Sequence, residues 1–269
     1  MLSPHPAPAT FLAVAARVRH AEPVMGTMVS FDVPVAARAD GSLDAALLWL
    51  HWADRVFSPY RADSDVSLLA EAEVTVDGCA PEVAEVIAAC AAIRMQSGGY
   101  FTAAPGGRFD PSGYVKGWAI ERAAAILSSG GSASHLVNGG GDIQCAGGRP
   151  GAGQSAEPWR VGIADPLRPG RLALVVEAAD GAIATSGVSE RGAHIIDPHT
   201  GRPAAGLASI TIVGPSLAFA DAYATAAFAM GPELARDWTA SLDGYEAHAI
   251  MSDGQPWQTP GFARHIAPA

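Results

Sequence analysis

One segment constrains this chain more than any other. Residues 220–230, Ala-Asp-Ala-Tyr-Ala-Thr-Ala-Ala-Phe-Ala-Met, are apolar except for Asp221 and Thr225. A run this apolar reads as a helix enclosed by a core. Asp221 and Thr225 are four residues apart, so their side chains stack on one helical face. A buried carboxylate is costly unless something pairs with it. A hard cation such as Mg²⁺ pairs with both oxygens at once. The alternative is an Asp near the helix start that favours the helix dipole, with Thr bonding back to a carbonyl.

The composition supplies the core that such a helix needs. Of 269 residues, 49% are hydrophobic and 16% charged, which argues against disorder and fits a single α+β unit. The net charge of −10 argues against a duplex nucleic-acid binder, which needs a basic footprint. It leaves room for a phosphate ligand, since backbone amides, a metal or a few local cations suffice. The three cysteines, Cys79, Cys90 and Cys145, form no Cys-x-x-Cys, so neither a disulfide framework nor a zinc site is expected. No apolar stretch is long enough to span a membrane, and no basic region precedes an h-region. The first cysteine, Cys79, comes too late for a lipoprotein signal. The expectation is a cytoplasmic protein without membrane insertion.

Residues 1–20 are rich in Pro and Ala and read as a flexible lead-in to one domain over 21–269. Thr27, Val29, Phe31 and Val33 alternate as a half-buried strand. Leu43, Leu47, Leu50 and Phe57 mark a helix with Ser42 as its N-cap. A second helix starts at Pro81, and a third runs from residues 113–116 to the stop at Gly130-Gly131. Short strands follow at 135–138, 159–164, 171–177, 182–186, 209–213 and 245–251. Residues 147–157 read as a surface loop.

Four segments carry chemistry. Asp110-Pro111-Ser112-Gly113-Tyr114-Val115-Lys116-Gly117 is a loop entering a helix, where free amides and Lys116 suit a phosphate. An Asp-Pro turn with a snorkelling Lys gives the same pattern. Asn138-Gly139-Gly140-Gly141-Asp142 is either a tight hairpin or a close approach of backbone to ligand. It lacks the spacing of a dinucleotide loop. His194, beyond Ala184-Thr185-Ser186-Gly187, is an acid–base candidate or a strand histidine bonded to a carbonyl. Asp197-Pro198-x-Thr200-Gly201 is good turn chemistry. The fourth is the Asp221/Thr225 helix.

The order of these blocks resembles the ApbE family of FAD:protein FMN transferases. The matching blocks are Met25-Gly26-Thr27, Phe57-Ser58-Pro59-Tyr60, Asp110-x-x-Gly113-x-x-Lys116-Gly117, Val137-Asn138-Gly139-Gly140-Gly141-Asp142-Ile143, Ala184-Thr185-Ser186-Gly187, His194-Ile195-Ile196-Asp197-Pro198-x-Thr200-Gly201 and Ala220-Asp221-Ala222-x-Ala224-Thr225. The resemblance implies a T-fold-like α+β domain with a mainly antiparallel sheet and packed helices. It implies Mg²⁺-dependent transfer of the FMN moiety of FAD to a Ser or Thr hydroxyl of an acceptor protein, with AMP leaving. By match, Gly113, Asp221 and Thr225 hold the metal. Met25, Tyr60, Asp110, Gly113, Lys116 and Ile196 line the FAD site, and His194, Lys116 and Asp221 are catalytic. Thr102, Ala103 and Ala104 fall at the flavin wall, in a stretch that replaces a longer run of the family. Two alternatives keep the same site: an FAD pyrophosphatase giving FMN and AMP, and an FAD-binding protein without turnover.

Overall fold

The computed structural model describes residues 16–150, 156–188 and 195–268. A hairpin comes first. β1 (Arg17–Val24) and β2 (Thr27–Pro34) pair from Arg17 opposite Pro34 to Val24 opposite Thr27. Met25 and Gly26 make the turn with φ of 56° and 69°, the left-handed geometry that matches a two-residue hairpin to strand twist. Val29, Phe31 and Val33 are buried, as their alternation requires. Arg17–His20, assigned to the lead-in from composition, belong to β1 instead. Backbone pairing with β2 holds them, and the Arg17 guanidinium bonds Asp32 and Ser134 and lies 5.1 Å over the Trp159 ring.

Helices follow: α1 (Val35–Ala39), α2 (Ser42–Phe57), α3 (Asp65–Ala70), α4 (Pro81–Gln96) and α5 (Ser112–Ser129). Ser42 is not the N-cap of α2. That position is Gly41, at φ 80°. Ser42 is the first helical residue; its N–H donates to Asp40 Oδ1 at 2.8 Å and its hydroxyl to the Ala37 carbonyl at 3.1 Å. The carboxylate two residues earlier does the capping.

The remaining elements are mostly strands: β3 (His135–Gly139), β4 (Asp142–Ala146), β5 (Arg149–Pro150), β6 (Ala156–Glu157), β7 (Trp159–Ala164), β8 (Leu172–Ala178), β9 (Gly181–Gly187), β10 (Ile196–Asp197), β11 (Arg202–Pro203) and β12 (Leu207–Gly214). Then come α6 (Leu217–Met230), α7 (Pro232–Thr239), β13 (Glu246–Met251) and β14 (Pro256–Gln258). Eight strands form one antiparallel sheet in the order β1-β2-β3-β4-β9-β12-β13-β14. The loop read at 147–157 is closed at its ends by the β5–β6 pair; residues 151–155 lie outside the described residues.

The sheet is covered on both faces. Helices α2, α4, α5 and α6 bury Leu50, Ile93, Ile120, Leu127, Ile212 and Leu217 against one face. The β7–β8 ribbon and a turn at Phe262–His265 cover part of the other, over Ile143, Cys145, Ile183 and Val213. Strand β12 sits between both layers, so Leu207–Val213 are all buried. That is why it reads as an unbroken apolar run rather than an alternation.

Candidate active site

The triple glycine resolves into a tight hairpin between β3 and β4. Gly140 and Gly141 take φ of 60° and 91°, and the Gly141 N–H donates to Asn138 Oδ1 at 3.0 Å. This turn lies beside the Met25-Gly26 turn: a Cβ on Gly140 would stand 2.9 Å from the Thr27 hydroxyl. Met25 is one of two non-glycine residues described with positive φ, a conformation that costs energy and tends to persist where a site uses it.

The hairpin delivers Asp142 to the helix layer. Its side chain is 1% exposed and forms an ion pair with Lys116 of α5. Its Oδ1 also accepts the Thr185 N–H at 3.1 Å. Lys116 Nζ lies 3.9 Å from Asp221 Oδ1 on α6 as well. One ammonium thus stands between two buried carboxylates. Lys116 is the only lysine in the sequence; every other basic residue apart from the histidines is Arg. A compact ammonium fits between two carboxylates where a planar guanidinium needs a wider fork.

Close packing of α5 on α6 builds the rest. A Cβ at Gly117 would lie 2.5 Å from the Leu217 carbonyl oxygen and 2.9 Å from Asp221 Cβ, so only glycine lets the helices approach this far. The Gly117 N–H donates to Asp221 Oδ2 at 3.1 Å. In a regular helix that N–H points at the carbonyl four residues back, which is Gly113. Asp221 therefore reaches the peptide group next to the Gly113 carbonyl. A Cβ on Gly113 would be 3.8 Å from the Thr225 hydroxyl and 3.4 Å from the Phe101 ring. Gly113, Asp221 and Thr225 thus lie on facing parts of α5 and α6, and the donors they could offer a cation are a carbonyl, a carboxylate and a hydroxyl. All are hard oxygens suited to Mg²⁺, which takes one or two carboxylates and completes its shell with water and substrate phosphate. Among the described residues no group of three or more His, Cys, Asp or Glu side chains forms a metal cage, so a cation here depends on mixed donors of this kind.

The other expected residues are more dispersed. Asp110 Oδ1 accepts the Ser112 N–H at 3.0 Å, so this carboxylate closes the first turn of α5. The Asp110 N–H donates to the Ala103 carbonyl at 2.7 Å, which ties Thr102, Ala103 and Ala104 to the entry of α5. Tyr60 is 94% exposed after α2, and Ile196 is 40% exposed on β10. His194 lies outside the described residues.

Residues 102–249, more than half of the chain, match the sequence profile of the ApbE family. The chain belongs to the ApbE family. An FAD:protein FMN transferase of Rhodobacter capsulatus is 28% identical over 255 residues, covering 89% of this chain and 45% of that protein. One of Treponema pallidum is 36% identical over 175 residues, covering 60% and 48%. The chain spans about half the length of the curated relatives it matches. Among solved structures, the ApbE protein of Thermotoga maritima superposes with a TM-score of 0.84 at 22% identity, over 94% of this chain and 100% of that one. The flavin transferase ApbE of Vibrio cholerae gives 0.81 at 22%, over 93% and 99%. These likenesses establish the ApbE fold: a mainly antiparallel sheet with packed helices.

Two contacts that set α5 and its neighbours in place escaped sequence reasoning. Asp142 was legible as an acid after a turn and as part of a family block, but not as a partner of Lys116; that pairing depends on β4 meeting α5. Glu121 on α5 accepts the Ser216 hydroxyl at 2.7 Å and the Ala218 N–H at 2.9 Å, capping α6 from a neighbouring helix. No signal local to α6 announces a cap supplied from 95 residues away.

Proposed function

We propose that this protein is an FAD:protein FMN transferase, moving the FMN moiety of FAD to a Ser or Thr hydroxyl of an acceptor protein and releasing AMP. The observation that carries the reading is the convergence of Gly113, Lys116, Asp221 and Thr225 at the tightly packed α5–α6 contact. A Mg²⁺ ion held by the Gly113 carbonyl, Asp221 and Thr225 would neutralise the pyrophosphate and draw charge from the attacked phosphorus. The protein's own groups do the rest. Lys116, placed by Asp142, supplies a full positive charge to the phosphate oxygens as charge develops on them. Family resemblance gives His194 the role of base, taking the acceptor hydroxyl's proton. The acceptor oxygen then bonds to the FMN phosphorus, the bond from that phosphorus to the bridging oxygen breaks, and AMP departs with the bonding electrons. Met25, Tyr60, Thr102–Ala104, Asp110 and Ile196 would border the flavin and adenine.

The acceptor is a protein with an accessible Ser or Thr. Among the described residues no helix is long and apolar enough to cross a membrane. Incubation of the protein with FAD, Mg²⁺ and a candidate acceptor, followed by mass spectrometry, tests the reading. The expected product is an acceptor heavier by one FMN less water. Intact FAD and unmodified acceptor, with a chelator making no difference, would contradict it.

A further inference from the structure

The β10–β11 hairpin carries Ile196, so its pose fixes where that residue stands. Internally it is well tied. Asp197 Oδ1 accepts the His199 N–H at 2.9 Å, Asp197 Oδ2 accepts the Thr200 hydroxyl at 2.8 Å, and the Gly201 N–H donates to the Asp197 carbonyl at 2.8 Å. Burial raises the Asp197 carboxyl, but the bonds from His199 and Thr200 outweigh it and hold the group below its ordinary value. None of these bonds says where the hairpin sits on the body of the protein.

His199 does. Its Nε2 is 3.1 Å from the Gly98 carbonyl, and its ring centroid is 4.4 Å from that of Tyr100 at 60°. The ring lies against Gly99, where a Cβ would stand 3.4 Å from its edge. Gly98 and Gly99 have φ of 60° and 89°, so the chain leaves α4 in a left-handed turn whose backbone lies against one side of the exposed imidazole. Tyr100 leads straight into Phe101, which is 1% exposed and packs its ring on Gly113. Thr102, Ala103 and Ala104 come next. A short path of contacts therefore runs from the hairpin through His199, Gly98–Tyr100 and Phe101 to the Gly113 and Thr225 oxygens.

We infer that His199 is a positioning residue, docking the β10–β11 hairpin onto the 98–104 segment so that Ile196 is held at a fixed distance from the flavin wall and from the Gly113–Asp221–Thr225 cluster. The inference rests on the flavin-transfer reading and names a determinant outside the residues assigned to that site. The imidazole touches neither substrate nor metal in this role. It acts through the hairpin.

The test uses the full-length chain with His199→Ala and His199→Gln. Hydrogen exchange without ligand should rise in both 98–104 and 195–204 in His199→Ala and nowhere else. FAD affinity by calorimetry should fall about ten-fold, the scale of one hydrogen bond plus a ring contact. The KM for FAD should rise by a similar factor, with kcat changed less. His199→Gln, whose amide can still donate to Gly98, should recover part of both losses. Unchanged exchange in the two segments overturns the docking. Raised exchange with unaltered FAD affinity and KM overturns the positioning role. A wild-type protein that binds no FAD overturns the functional reading and the inference together, whereas a wild type that binds FAD beside an indistinguishable variant overturns the inference alone.

Discussion

Replacing Asp221 by Asn separates its role in folding from its role in holding a cation. The substitution keeps the shape and keeps an oxygen that accepts the Gly117 N–H, now at 3.1 Å from Oδ2. Were that bond lost, Gly117 could return its N–H to the Gly113 carbonyl, its regular helical acceptor. Lys116 keeps Asp142 as a partner. The new amide nitrogen takes the place of Oδ1 beside the Lys116 ammonium, so the metal-free protein should lose about 1–3 kcal/mol, the scale of a poorly satisfied buried donor. Cation binding is a different matter, because the only charge among the three proposed ligands is removed. With FAD present and Mg²⁺ at roughly 100 times its dissociation constant, the wild type gains about 2.7 kcal/mol. For a chain of this size that is about 5–10 °C in melting temperature. Differential scanning calorimetry with and without Mg²⁺ should show this rise in the wild type and almost none in Asp221→Asn, whose transferase activity should fall to background. An equal Mg²⁺-dependent rise in both proteins would refute the ligand assignment. A collapse of the metal-free variant's stability would show that Asp221 is there for packing.

Other outcomes follow from the same geometry. Lys116→Ala leaves Asp142 buried without its ammonium and should cost about 3 kcal/mol in urea unfolding; adding Asp142→Asn should restore stability but not FAD cleavage, and a single variant as stable as wild type would refute the pairing. Glu121→Ala removes the cap on α6 and should cost about 1–3 kcal/mol, with wild-type stability refuting the cap. Burial lowers the pKa values of His135 and His248, so the unfolded chain takes up protons first: their stabilisation is complete above roughly pH 6.5 and is lost as pH falls below it. Glu22, held low by its bonds to His51 and then His20, contributes stability above the ordinary carboxylate range that is lost as pH falls through its lowered value. Denaturation midpoints that stayed level from about pH 7 to pH 5 would contradict the histidine contribution.

What the sequence revealed was whatever is encoded locally. The four-residue spacing of Asp221 and Thr225 placed them on one face because helical period does that without help from the rest of the chain. Trp159–Ala164 alternates because one side faces the core and the other does not, and it appears as β7. Features set by distant partners were hidden. Strand β1 contains Arg17, Arg19, His20 and Glu22 and has no clear apolar alternation; pairing with β2 and the Arg17 bonds make it a strand. Gly117 read as one more helical residue, although its missing side chain is what admits Asp221. Ser42 resembled an N-cap, but Asp40 was two residues away and took that work.

The claim at the centre of this account is that the acceptor hydroxyl, not water, attacks the FMN phosphorus. Running a single turnover of FAD with Mg²⁺ and acceptor in oxygen-18 water tests it directly. Transfer predicts one flavinylated acceptor for each AMP released, with no heavy oxygen in either product. Free FMN carrying one heavy oxygen, and acceptor left unmodified, would contradict it and identify the protein as a hydrolase.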